Sequence, residues 1–138
     1  MRTKPSFPLM ALLVVALIGG VAGTAVAQSS GQTVTFVGYY MDVACTTAGK
    51  GLDGSDVVNS PKDHTKMCLV ACKGSGFGLS VKSGDEYVFY KFDKAGSDLS
   101  VKEVLNKTKR ENDFLVSLDG VLKDGVITVR SIKEANVF

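Results

Sequence analysis

Five residues carry the chemistry open to this chain: Asp42, Cys45, His64, Cys68 and Cys72. They fall in two short runs, D-x2-C (Asp42, Cys45) and H-x3-C-x3-C (His64, Cys68, Cys72). The chain has one histidine and three cysteines, and all four lie in these runs. Positions four apart on an α-helix differ by about 400° of rotation and share one face. A helix over 61–73 would carry His64, Cys68 and Cys72 as one stripe, close to the strand end that presents Asp42 and Cys45. Thiolate and imidazole are ligands for Zn²⁺ or Cu⁺. His64 and Cys72 would stand ~12 Å apart along such a helix, too far to share one ion comfortably. A metal would take His64 with Cys68, or Cys68 with Cys72, together with Cys45 and Asp42.

Other chemistries compete for the same residues. An odd number of cysteines leaves at least one thiol without a partner in the chain. A disulfide from Cys45 to Cys68 or to Cys72 would close a loop of about 23–27 residues, worth ~3 kcal/mol in the chain-entropy model. Cys68 and Cys72 fit each other poorly, because their side chains would point along the helix stripe. A Cys–His nucleophile on one helix has no evident orienting residue or oxyanion hole. A free thiol without a role is the remaining option. No CxxCH occurs, so covalent haem is not indicated. Tyr39, Tyr40, Tyr87 and Tyr90 could line a ligand face, but strand-forming residues with an edge in the core account for them. Asp53, Asp56 and Asp63 with Asp42 match no calcium-loop spacing and read as solvated surface.

The elements that must hold the cluster are mostly strands. Residues 33–41 (TVTFVGYYM) are β-branched and aromatic, with Gly38 a candidate bend. Residues 46–59 are rich in Gly and small polar residues, hence a loop. Ser60, Pro61 and Asp63 form a helix start, and Gly74 a stop, which predicts the helix over 61–73. Residues 77–82 alternate apolar and polar, 83–86 (SGDE) turn, and 87–92 (YVFYKF) return. Residues 93–98 read as a loop. Ser100 and Glu103 form a capping box for a helix ending near Lys109, with Leu99 able to staple onto Val104. Phe114, Val116 and Leu118 alternate with Leu115, Ser117 and Asp119, and Lys123-Asp124-Gly125 turns into a last strand, 126–132. The predicted fold is mainly β: a five-stranded OB-like Greek-key barrel with a helix between strands 3 and 4 and an extra loop-helix excursion after strand 1. A β-sandwich is the rival. An outer-membrane barrel would need eight strands of about 10 residues and leave no room for two helices.

The N-terminus reads as a secretory signal over residues 1–27. Arg2 and Lys4 precede the apolar run LMALLVVAL, and Ala25-Val26-Ala27 is a small-x-small cleavage pattern before Gln28. The uninterrupted apolar run, 9–23, falls short of the ~20 residues that span a bilayer. The alternative, a retained anchor, requires extending that run to Ala27. Residues 28–138 then form a single domain of ordinary composition, 45% hydrophobic and 22% charged over the chain. Sixteen basic residues face fourteen acidic ones, and Arg2 and Lys4 account for the whole excess. A neutral domain without a basic run argues against nucleic acid as a partner. An envelope or extracellular partner is expected, with no stable membrane insertion after cleavage.

The runs D-x2-C and H-x3-C-x3-C, followed by the glycine step Gly74, Gly76 and Gly78 into two hairpins, resemble a family of small exported bacterial domains of unknown function. The likeness covers most of residues 34–132. It implies an OB-like barrel and export, and no reaction. The expected function is that of an exported, non-enzymatic binding domain whose cofactor, if any, is Zn or Cu. The alternative is a disulfide-stapled structural or interaction module without a metal.

Overall fold

The computed structural model describes residues 30–136. The expected secretory signal over 1–27 and its expected cleavage site lie outside the described residues. Five strands form one mixed sheet: β1 (Gln32–Asp42), β2 (Phe77–Ser83), β3 (Glu86–Phe92), β4 (Leu115–Lys123) and β5 (Val126–Glu134). Their bonded order, β1-β2-β3-β5-β4, closes into a barrel because β1 pairs with both β2 and β4. All pairs are antiparallel except β3 with β5, a short parallel contact at Lys91↔Val126 and Phe92↔Ile127.

One strand can serve two neighbours only if it bends. Residues Gln32 to Tyr39 of β1 pair with β4, and Tyr39 to Asp42 pair with β2. Gly38 sits at the change of partner. A Cβ there would stand 2.5 Å from the Ser80 carbonyl oxygen, so only glycine lets the backbones approach this closely. The two hairpins are tight. Ser83 pairs with Glu86 and Lys123 with Val126, leaving two-residue turns. Asp124 (φ 51°) and Gly125 (φ 77°) are both left-handed, the turn whose twist matches that of the flanking strands.

The main core fills the barrel with Tyr40, Phe77, Leu79, Phe92, Val104, Phe114, Val116, Leu118 and Ile127, among others. The alternation read in the fourth strand holds. Phe114, Val116 and Leu118 are buried, Ser117 is half-buried and Asp119 is exposed. The strand itself runs later than expected, with Phe114 just ahead of it.

The helices depart from the expectation in three places. Helix α1 (Val43–Ala48) occupies the start of what reads as a loop. Its N-cap is Asp42, which accepts from the Cys45 N–H, and Gly49 ends it in the left-handed region. The expected helix over 61–73 is broken. Pro61–Asp63 is a single 3-10 turn, His64 is extended (ψ 130°), and α2 (Lys66–Ala71) starts afresh with Thr65 as N-cap. Cys72 is its C-cap, so His64, Cys68 and Cys72 do not form one helical stripe.

The third difference lies between β3 and β4. The helix there, α3 (Lys94–Ser100), begins at Asp93, whose carboxylate accepts from the Gly96 N–H at 2.7 Å. It continues as a π-turn over Val101–Leu105. The Ser100–Glu103 capping box does not form. Ser100 lies inside the helical run, donates to the Ser97 carbonyl and shares a 3.0 Å hydrogen bond with the Tyr40 hydroxyl. Two residues have cap chemistry here, and Ser100 is taken by the buried contact with Tyr40 instead.

Candidate metal centre

A second, smaller core stands beside the barrel. Met41, Cys45, Val57 and Cys68 are its buried members, with Tyr39, Cys72 and Phe89 packed against it. Three elements build it: the end of β1 with α1, the loop after α1, and α2. Each of the two buried cysteines, Cys45 and Cys68, owes its place to a local cap. Asp42 Oδ1 accepts from the Cys45 N–H at 2.8 Å, so the residue that ends the strand also orients the first turn of α1. Thr65 Oγ1 accepts from the Cys68 N–H at 3.4 Å and starts α2.

The other oxygen of Asp42 meets His64. Oδ2 lies 2.6 Å from His64 Nε2, and both side chains are 0% exposed. A carboxylate accepts hydrogen bonds, so Nε2 donates to Asp42, and a neutral ring in this tautomer keeps its lone pair on Nδ1. Nδ1 is buried and has no hydrogen-bond partner, the one such side-chain atom among the described residues. Burial pushes the Asp42 carboxyl up, but the hydrogen bonds from His64 and the Cys45 N–H outweigh it and hold it below the usual carboxylate range.

One ligand atom each from Cys45, His64 and Cys68 lies within 4.8 Å of the other two. This group could hold a metal ion. A second group joins Asp42, Cys45 and Cys72 on the same criterion, so Cys45 is common to both. The Cys45 and Cys72 sulfurs are 3.8 Å apart. All three cysteines are free thiols, and no pair stands at bonding distance.

The sulfurs differ in surroundings. Cys68 Sγ accepts from the Leu52 N–H and from the Thr65 hydroxyl, each at 3.3 Å. The loop reaches it through Gly51, where a Cβ would fall 2.7 Å from the side chains of Asp53 and Ser55. Cys45 receives no such donors. Burial, and then the negative charge of Asp42, push its thiol up. Two thiols and a carboxylate packed together without a cation favour the protonated thiol, and a coordinated cation reverses that preference.

The residues singled out in the sequence have distinct fates. Cys45, His64 and Cys68 are brought together, Asp42 is joined to His64, and Cys72 meets Cys45 alone among the thiols. His64 is fully buried. Asp53 and Asp56 accept hydrogen bonds from Ser55, Val58 and Asn59 of their own loop. Tyr40 belongs to the main core, Tyr90 stacks on Phe36, and Tyr39 meets Tyr87 edge-on in a shallow groove of about 300 Å³ on the barrel. Leu52, Thr65 and the glycine that admits the loop are the partners that spacing could not reveal. No helix among the described residues is long and apolar enough to cross a membrane.

No family model matches the chain, and neither a curated protein nor a solved structure matches it.

Proposed function

We propose that the chain is an exported, non-enzymatic binding domain that holds a soft transition metal, Zn²⁺ or Cu⁺, on Cys45, His64 and Cys68. The observation that carries this reading is the buried group of Cys45, His64 and Cys68, whose ligand atoms lie within 4.8 Å of one another, together with a buried His64 Nδ1 that has no hydrogen-bond partner. An orphaned buried polar atom is costly, on the order of 1–3 kcal/mol, and a coordinated ion would satisfy it. Asp42 completes the pattern. Histidines that bind metal commonly give their other ring N–H to a carboxylate, which fixes the tautomer. Asp42 is therefore read as the residue that orients the imidazole, with both oxygens already engaged. The two donors on Cys68 are of the same outer-shell kind.

Two rival readings of the cluster have less behind them. As small apolar residues, Cys45 and Cys68 would suit a minor core, but an apolar core has no use for a buried His–Asp pair. Nucleophilic catalysis gains an orienting carboxylate in Asp42, yet Cys45 is 3% exposed and Cys68 and His64 are 0% exposed, which leaves a substrate no access. The barrel reading extends to the OB class. Its support is the closed order with β1 shared by β2 and β4, a parallel β3–β5 contact, and a helix between β3 and β4. The likeness to small exported bacterial domains is part of the same proposal.

Calorimetric titration of the reduced protein with each ion tests the metal reading. One equivalent of Zn²⁺ or Cu⁺ is expected to bind more tightly than about micromolar, which corresponds to about −8 kcal/mol. The melting temperature should rise with the ion, because ligands scattered over 45–68 assemble only in the folded chain. If neither ion binds more tightly than micromolar, the reading fails. Export is tested separately. N-terminal sequencing of the exported form should begin at Gln28, and an intact Met1 recovered from membranes would favour an anchor.

A further inference from the structure

Cys45 has two sets of neighbours that cannot use its sulfur at once. One is His64 with Cys68, and the other is Cys72, whose sulfur lies 3.8 Å away. Cys72 differs from the other two cysteines in exposure. It caps the end of α2 and is half-buried, whereas Cys45 and Cys68 are buried. It is followed by the exposed Lys73 and Gly74. Cys68 also has its sulfur within 4.8 Å of Cys45 Sγ, but it is buried and already tied by donors from Leu52 and Thr65.

We propose that Cys72 is a redox gate on the metal site: oxidation by a small-molecule disulfide joins Cys72 to Cys45 and expels the ion. The gating rests on the metal reading above. The step runs by thiol–disulfide exchange. The Cys72 thiolate attacks one sulfur of the oxidant R–S–S–R, forms a mixed disulfide and releases one R–S⁻, which takes up the Cys72 proton as RSH. The Cys45 sulfur leaves the metal as a thiolate and attacks the Cys72 sulfur of that mixed disulfide. The second R–S⁻ departs and takes a proton from water. The two cysteines give up two electrons, and R–S–S–R is reduced to two RSH. His64 and Cys68 remain as two donors, too few for a closed Zn²⁺ site. Moving the sulfurs from 3.8 Å to the ~2.05 Å of a disulfide needs only a local adjustment at the end of α2.

Zn²⁺ is the suitable probe because it undergoes no redox chemistry of its own. The Zn²⁺-loaded protein is mixed with oxidised glutathione, release is followed with a chromogenic chelator, and the bonds are mapped by peptide mass after acid quench and alkylation. Wild type is expected to release its ion with a Cys45–Cys72 bond. Cys72→Ser is expected to load Zn²⁺ as wild type does and to release it at least about tenfold more slowly. A Cys45–Cys68 bond, equal release from Cys72→Ser, or retention of Zn²⁺ after the Cys45–Cys72 bond has formed would each overturn the gate. Failure of the reduced protein to bind Zn²⁺ or Cu⁺ would instead sink the metal reading, and the gate with it.

Discussion

Asp42→Asn is expected to keep the protein folded while weakening its metal affinity by about 10–100-fold, or ~1.4–2.8 kcal/mol. The asparagine is nearly isosteric, and its Oδ1 can still accept from the Cys45 N–H, so the cap of α1 survives. The amide nitrogen then faces His64 Nε2 in place of the carboxylate oxygen. It donates and cannot accept, so Nε2 must give up its proton. The ring moves that proton to Nδ1, and the lone pair that would bind the ion is gone. The reverse amide orientation sets two donors against each other at Cys45. His64→Ala should also cost at least about tenfold in affinity. It is the less clean variant, because it leaves the buried Asp42 carboxylate without its partner and so destabilises the fold as well. Calorimetric titration of both variants with Zn²⁺ and Cu⁺, alongside thermal melts, separates the effects. An unchanged affinity in Asp42→Asn would remove Asp42 from its orienting role.

Val116→Asp is expected to cost several kcal/mol, the largest effect on stability of any change considered for this chain. Val116 is fully buried in the main core and paired with Gly38 and Glu134 across its two neighbouring strands. The substitution forfeits about 1.5–3 kcal/mol of apolar burial and adds a charge with no counter-charge beside it. Three residues along the same strand, Asp119→Asn should shift stability by under about 0.5 kcal/mol. Asp119 is exposed and accepts from the Thr35 and Ser131 hydroxyls. One of those bonds survives on the amide oxygen, and a hydroxyl can rotate to accept from the amide nitrogen. At roughly 4–8 °C per kcal/mol for a domain near this size, the melting temperatures of the two variants should differ by more than 10 °C. Similar melting temperatures would mean that the face of β4 is misassigned.

The strands were legible because their signals are local. Alternation over 114–118 and the Asp124-Gly125 turn act within a few residues, and the barrel keeps both. Strand β2 forms where 77–82 alternates, but Gly78 and Ser80 are buried along with Phe77 and Leu79, so its polar positions do not face solvent. The caps were harder to read because several residues competed for each. Asp42 and Gly49 have the chemistry to bound α1, yet Asp42 also ends a strand, and Val43, Thr46 and Thr47 are weak helix formers. At the next helix, Ser60 and Pro61 start only a single turn, and Thr65 starts α2. In the long run before β4, Asp93 caps and Ser100 does not.

From the sequence alone followed the β-rich class, the two hairpins, the inward face of the fourth strand and the identity of the residues able to bind a metal. Side-chain chemistry and period-2 alternation suffice for each of these. Only the tertiary structure decided how those residues meet. A helical stripe over 61–73 would hold His64 at fixed spacing from Cys72 and leave it exposed. Instead the Asp42 carboxylate, 22 residues away, holds His64 in an extended conformation and buries it with Nδ1 unpaired. Its distance from Cys68 is then set by packing, not by helical pitch. The sharing of Cys45 between two partner sets has the same origin, because the approach of α1 to α2 comes from separate elements meeting beside the barrel.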